Sequence, residues 1–86
     1  MKMYHITFAA SAVKELSSLP KNVQARIEKT VDSLMENPRP FGAIKLKGEK
    51  GVYRIRVGDY RVIYSIDDNN YKIDVSVVRN RKDAYR

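Results

Sequence analysis

VYRIRVGDYRVIYSI, residues 52–66, contains two alternating stretches on either side of Gly58-Asp59. In the first, Tyr53, Ile55 and Val57 fall on one face of a strand and Arg54 and Arg56 on the other. In the second, Tyr60, Val62, Tyr64 and Ile66 form the apolar face, with Arg61, Ile63 and Ser65 opposite. Both stretches are rich in β-branched and aromatic residues, which suit a pleated, half-buried surface. Gly58-Asp59 between them has the chemistry of a tight hairpin turn. Folded on itself, the segment has one apolar face for a core and one face carrying three guanidinium groups.

The pattern extends in both directions. Downstream, Asp67-Asp68-Asn69-Asn70 reads as a four-residue turn. Tyr71–Val78 then reads as a strand with Tyr71, Ile73, Val75 and Val77 on one face, followed by the tail RNRKDAYR, 79–86. Upstream lie a short strand, Ile44–Leu46, and a turn from Gly48 to Gly51. Before these, Val23, Ile27, Val31 and Leu34 recur at helical spacing within Lys21–Asn37, opposite Lys21, Gln24, Glu28 and Asp32. Asn37-Pro38-Arg39-Pro40 stops that helix, because proline lacks the amide donor and restricts the residue before it. AASAVKELSSLP, 9–20, reads as a first helix with Ser11 as its cap and Pro20 as its stop. MYHITF, 3–8, alternates as an opening strand.

The order is a strand, two helices and an antiparallel strand meander. It predicts a single α+β domain over residues 1–86, with the helices covering one face of a twisted sheet. The other face then shows Arg54, Arg56 and Arg61.

Composition narrows the chemistry. The chain has no cysteine and one histidine, His5, so disulfides, thiolate zinc sites and a His-rich metal cluster are excluded, and no cofactor or metal is expected. No stretch reaches the roughly 20 apolar residues of a membrane span, and the N-terminus lacks the apolar run of a signal peptide. A small domain without staples points to a cytoplasmic location and no membrane role. The net charge of +7 is uneven. Residues 39–61 hold seven basic and two acidic side chains, a net of +5. Residues 79–86 hold four and one, a net of +3. If the fold joins these segments, the result is a surface for a polyanion.

GDYRVIYSID (58–67), together with VYRIRV (52–57), LKG (46–48), LSSLP, ENPRP and VVRNRKDAYR (77–86), resembles the RelE/ParE toxin superfamily over nearly the whole chain. The wording of the strands and the short ending look most like the RelE branch. The resemblance implies a fold similar to microbial ribonucleases and a toxin that enters the ribosomal A site and cuts messenger RNA. It implies a RelB-like antitoxin as the cognate partner. It also leaves an alternative, a ParE-like toxin that poisons DNA gyrase without cutting RNA.

Carried over by position, the basic residues of the central strands resemble Arg54 and Arg56, and the fourth-strand arginine is Arg61. The tail arginine is Arg81 or Arg79, and the base-stacking tyrosine resembles Tyr85. Arg56, Arg61 and Arg81 are the candidate catalytic residues. Arg54, Tyr85, Lys45, Lys47 and Arg79 are the candidate RNA contacts. Forked, permanently charged guanidiniums suit a phosphorane, and an aromatic ring suits an unstacked base. The chain departs from its relatives in having arginine at both central-strand positions and Asn80 where many carry histidine. The match therefore supplies no good proton acceptor, because arginine keeps its proton far above neutral pH. Lys45, Lys47 and Glu49 are the substitutes within reach of the pattern.

Overall fold

A computed structural model describes residues 3–48 and 50–80. In chain order the elements are β1 (His5–Phe8), α1 (Ala10–Ser17), α2 (Lys21–Ser33), β2 (Ile44–Lys45), β3 (Val52–Val57), β4 (Tyr60–Asp67) and β5 (Lys72–Asn80). They form one five-stranded sheet in the order β1-β5-β4-β3-β2. β2 to β5 make the expected antiparallel meander. β1 adds to the edge of β5 in parallel, from His5 opposite Lys72 to Phe8 opposite Val75, so the sheet is mixed. No helix among the described residues is long and apolar enough to cross a membrane.

The helices cover one face. Ala12 and Leu16 of α1 and Ile27 and Val31 of α2, with Leu34 just beyond, meet Ile55, Val57, Val62, Tyr64, Ile73, Val75 and Val78 of the sheet. Each such aliphatic side chain contributes roughly 1.5–3 kcal/mol when fully buried. Of the apolar residues that mark α2 in the sequence, Ile27, Val31 and Leu34 are in the core and Val23 packs at its margin.

Two expectations about the helices change. α1 starts from Ala9, whose extended backbone (φ −61°, ψ 150°) caps the helix without a side-chain bond, and Ser11 lies inside the first turn. α2 stops at Ser33. Leu34 and Met35 then donate to the carbonyls of Val31 and Asp32, three residues back, which tightens the chain into turns before Pro38.

A third change lies in β5. Plain alternation places Val77 in the core with Ile73 and Val75. Instead Val78 is buried and Val77 is not. Ile63 pairs with Val77 but Tyr64 pairs with Val75, so Ser76 is an extra residue, a β-bulge. Its hydroxyl donates to the Ile63 carbonyl at 3.3 Å. Beyond the bulge every side chain of β5 changes face.

Candidate nucleic-acid interface

The bulge assembles the site. In the β3–β4 register Arg56 lies opposite Arg61, and in the β4–β5 register Arg61 lies opposite Arg79. Paired residues share a face, so Arg56, Arg61 and Arg79 form a row across three adjacent strands, on the side away from the helices. Strands lie about 4.8 Å apart, so the row spans roughly 10 Å. The next row is Arg54, Ile63 and Val77. Without Ser76 as an extra residue, alternation from Ile73 would turn Arg79 toward the core.

The hairpin that carries Arg56 and Arg61 turns through Gly58 at φ +59°. Val57 and Tyr60 are its closing pair. A Cβ at Gly58 would also lie 3.1 Å from the Arg26 guanidinium, which packs over the turn from α2. Glycine therefore serves both the backbone and the packing there.

The row is half-open. Arg56 and Arg79 are exposed, whereas Arg54 and Arg61 are partly covered and their Nε atoms are withdrawn from water. Like charges directly opposite one another destabilise a strand pair. The structure offsets part of that cost at one end. Glu15 of α1 accepts the Arg79 Nε at 3.1 Å and the backbone amide of Val78 at 3.2 Å. β1 stops pairing at Val75, and Glu15 takes over where a strand carbonyl would have continued. Composition gives no hint of Glu15, which reads as one more polar residue on an amphipathic helix. Only the packing of α1 on β5 brings it to the row.

The other candidates are placed differently. Ile44 pairs with Arg54 and Lys45 with Tyr53, so Lys45 projects on the face opposite Arg54 and Arg56 and is not brought to the row. Lys45, Lys47 and Lys50 instead line a shallow cleft at the sheet edge with Leu46 and Gly48. His5 is on β1, at the end of β5 remote from Arg79. Glu49, Arg81 and Tyr85 lie outside the described residues.

At the far end of the sheet a polar clamp holds the segment after α2. Arg39 forms a two-pronged pair with Asp68 at 2.7 and 3.3 Å and donates from Nε to the Tyr53 hydroxyl at 3.0 Å. The Tyr4 hydroxyl donates to the same carboxylate at 2.7 Å. The Asp68 carboxyl is held below the usual range, first by the Arg39 guanidinium and then by the Tyr4 hydroxyl. Tyr64 is fully buried and donates to the Pro38 carbonyl at 2.8 Å. Its phenol is pushed up to about 12, chiefly by burial.

A half-covered sheet face bearing a register-locked row of arginines, with two helices behind it, defines a small α+β toxin-like domain built to meet phosphate. A family described as the ParE toxin of the type II toxin–antitoxin system matches residues 6–85. The chain is 32% identical over 84 residues to Toxin RelE of Mycobacterium tuberculosis, covering 96% of this chain and 87% of that one. Its fold matches RelE in the archaeal RelE–RelB complex from Pyrococcus horikoshii with a TM-score of 0.82 and 37% identity, over 92% of this chain and 96% of that chain. It matches the E. coli RelBE toxin–antitoxin complex with a TM-score of 0.80 and 28% identity, over 90% and 95%. This chain belongs to the RelE/ParE superfamily of type II toxins.

Proposed function

We propose that residues 1–86 act as one toxin domain that cleaves messenger RNA in the ribosomal A site and is silenced by a RelB-like antitoxin in the cytoplasm. The observation that supports this most is the Arg56–Arg61–Arg79 row on the open face of the sheet. In the proposed reaction the ribose 2′-hydroxyl attacks its own 3′ phosphorus. A 2′-O–P bond forms and the P–O5′ bond breaks, leaving a 2′,3′-cyclic phosphate and a 5′-hydroxyl. Charge builds on the equatorial oxygens of the phosphorane. Fixed guanidinium forks act on that charge at no cost in reorganisation, as preorganised donors do in other acyl- and phosphoryl-transfer sites.

Arg61, central in the row, and Arg56 beside it are assigned to the phosphorane, together with Arg81 from the tail. Arg54 and Arg79 are assigned to flanking phosphates, Tyr85 to a base, and Lys45 and Lys47 to the backbone of the RNA or ribosome farther out. None of the arginines is a suitable base. Alignment of the 2′-hydroxyl by the ribosome then carries a large share of the rate, since positioning alone can supply several orders of magnitude. No cofactor or metal is assigned. The RelE relatives seen with RelB support an antitoxin partner for this chain.

The family description names ParE, which favours a second reading, a gyrase poison that leaves RNA intact. Brief induction in bacteria with mapping of 5′ ends along a well-translated message separates the two. Breaks inside codons that vanish when translation is blocked are expected. Growth arrest with intact message would overturn the nuclease in favour of the gyrase poison.

A further inference from the structure

Phe41 has no place in the core and none in the arginine row. Its relative exposure is 107%, as open as a side chain can be. The backbone that carries it is nonetheless fixed. Ala43 donates to the Pro40 carbonyl at 3.0 Å, closing a turn with Phe41 at its first corner and Gly42, φ +98°, at its second. Positive φ at that second corner marks a type II turn, for which proline, glycine and asparagine are the usual residues. One side of the turn is anchored by the Arg39–Asp68 pair and by the Tyr64 hydroxyl on Pro38. The other side runs directly into β2.

This rigid turn holds a phenyl ring at the mouth of a cleft of about 410 Å³, lined by Phe41, Gly42, Ile44, Arg54, Ile55 and Arg56. The cleft opens where β2, paired only with Tyr53 and Arg54, leaves the edge of β3 uncovered. It has an aromatic wall, an aliphatic floor and two guanidiniums, and no acidic side chain lines it. Arg56 belongs both to this cleft and to the row with Arg61.

We infer that this cleft binds one unstacked nucleotide of the RNA, next to the phosphate held by the row, with its base against Phe41 and its phosphate on Arg54 and Arg56. The inference rests on the nuclease reading and deepens it. Aromatic rings accept any base face, and guanidiniums accept the phosphate beside it. A wholly apolar partner would leave both arginines facing greasy surface. The nearby Lys45, Lys47 and Lys50 add to the positive field that a polyanion follows.

The test uses the full chain and ribosomes programmed with a defined message, under single-turnover conditions. The half-saturating toxin concentration is measured for wild type, Phe41→Ala, Phe41→Tyr and Arg61→Ala. Companion messages carry a single abasic site at each nucleotide of the codon or at the one beyond it. Phe41→Ala should raise the half-saturating concentration on the order of tenfold, and Phe41→Tyr should restore it. At one abasic position wild type and Phe41→Ala should become equal, because the base that stacks is gone. Equal values for the two on the intact message would overturn the inference while wild-type cutting, lost in Arg61→Ala, upholds the nuclease. A penalty for Phe41→Ala unchanged at every abasic position would also overturn it. Unimpaired cutting with a weakened antitoxin complex would reassign the cleft to the protein partner. Absence of cutting by wild type would overturn both readings together.

Discussion

Arg61 is flanked across the strands by Arg56 and Arg79, so its surroundings oppose its charge. An open-face side chain in such a place adds little to the core. Arg61→Ala should therefore abolish growth arrest while leaving the circular-dichroism spectrum and denaturation midpoint close to wild type. A midpoint that falls by more than about 1 kcal/mol of stability would assign Arg61 a structural role instead. Tyr64 is the contrasting residue, wholly buried and held neutral. Its phenol titrates near 10 in the unfolded chain and near 12 in the folded one. Between those values the unfolded state gives up a proton that the folded state keeps, so stability is full below pH 10 and falls as pH rises toward 12. The loss for this one group is roughly 2–3 kcal/mol. Urea titrations at pH 9 and pH 12 should show this alkaline loss in wild type, and Tyr64→Phe should lack this share of it. An identical alkaline loss in Tyr64→Phe would assign it to other groups.

Among the elements, β5 decides the site. Its first half pairs with β1 and sends Ile73 and Val75 into the core. Its second half, after the extra Ser76, sends Val78 inward and Arg79 outward. Deleting Ser76 removes the bulge, so the chain must either slip its register or bury Arg79. Burying an unpaired guanidinium costs several kcal/mol. The deletion should destabilise the fold by about 3 kcal/mol or more in chemical denaturation, whereas Ser76→Ala, which keeps the extra residue and loses one hydrogen bond to Ile63, should cost about 1 kcal/mol. Equal, small effects would mean that the bulge is not what sets the faces. The periodicity of β3 and β4 was legible from VYRIRVGDYRVIYSI, because side chains alternate regularly where no residue is inserted. β5 was misread after Ser76 because a bulge leaves no mark in a Val-rich stretch. Ser76 looks like any other outward position until the partner strand is known.

For the whole molecule, charge is the organising quantity. The +5 segment, 39–61, supplies Arg54, Arg56 and Arg61, and Arg79 heads the +3 tail, 79–86. The fold brings them to one face, while Asp67 and Asp68 stay at the opposite end of β4. A single-stranded polyanion that engages the three arginines of the row should bind with a log–log salt slope of about −2, near −0.7 per neutralised phosphate. Retention of an uncleavable 2′-O-methyl RNA, measured from 50 to 200 mM salt, checks this. A slope near zero would remove electrostatics as the basis of binding.

The sequence by itself determined the α+β order of elements, the apolar faces of α2, β3 and β4, and the shared face of Arg54, Arg56 and Arg61. Each follows from local periodicity and turn chemistry, which are carried by neighbouring residues. Only the tertiary structure decided that β1 joins β5 in parallel, that Arg79 completes the row under the Glu15 carboxylate, that Lys45 faces away from it, and that Phe41 stands in a clamped turn beside Arg54 and Arg56. These depend on register and on contacts between residues up to 64 positions apart, as between Glu15 and Arg79. Such contacts are set by how the apolar faces pack together, and a single chain's local pattern does not encode which partner each face will meet.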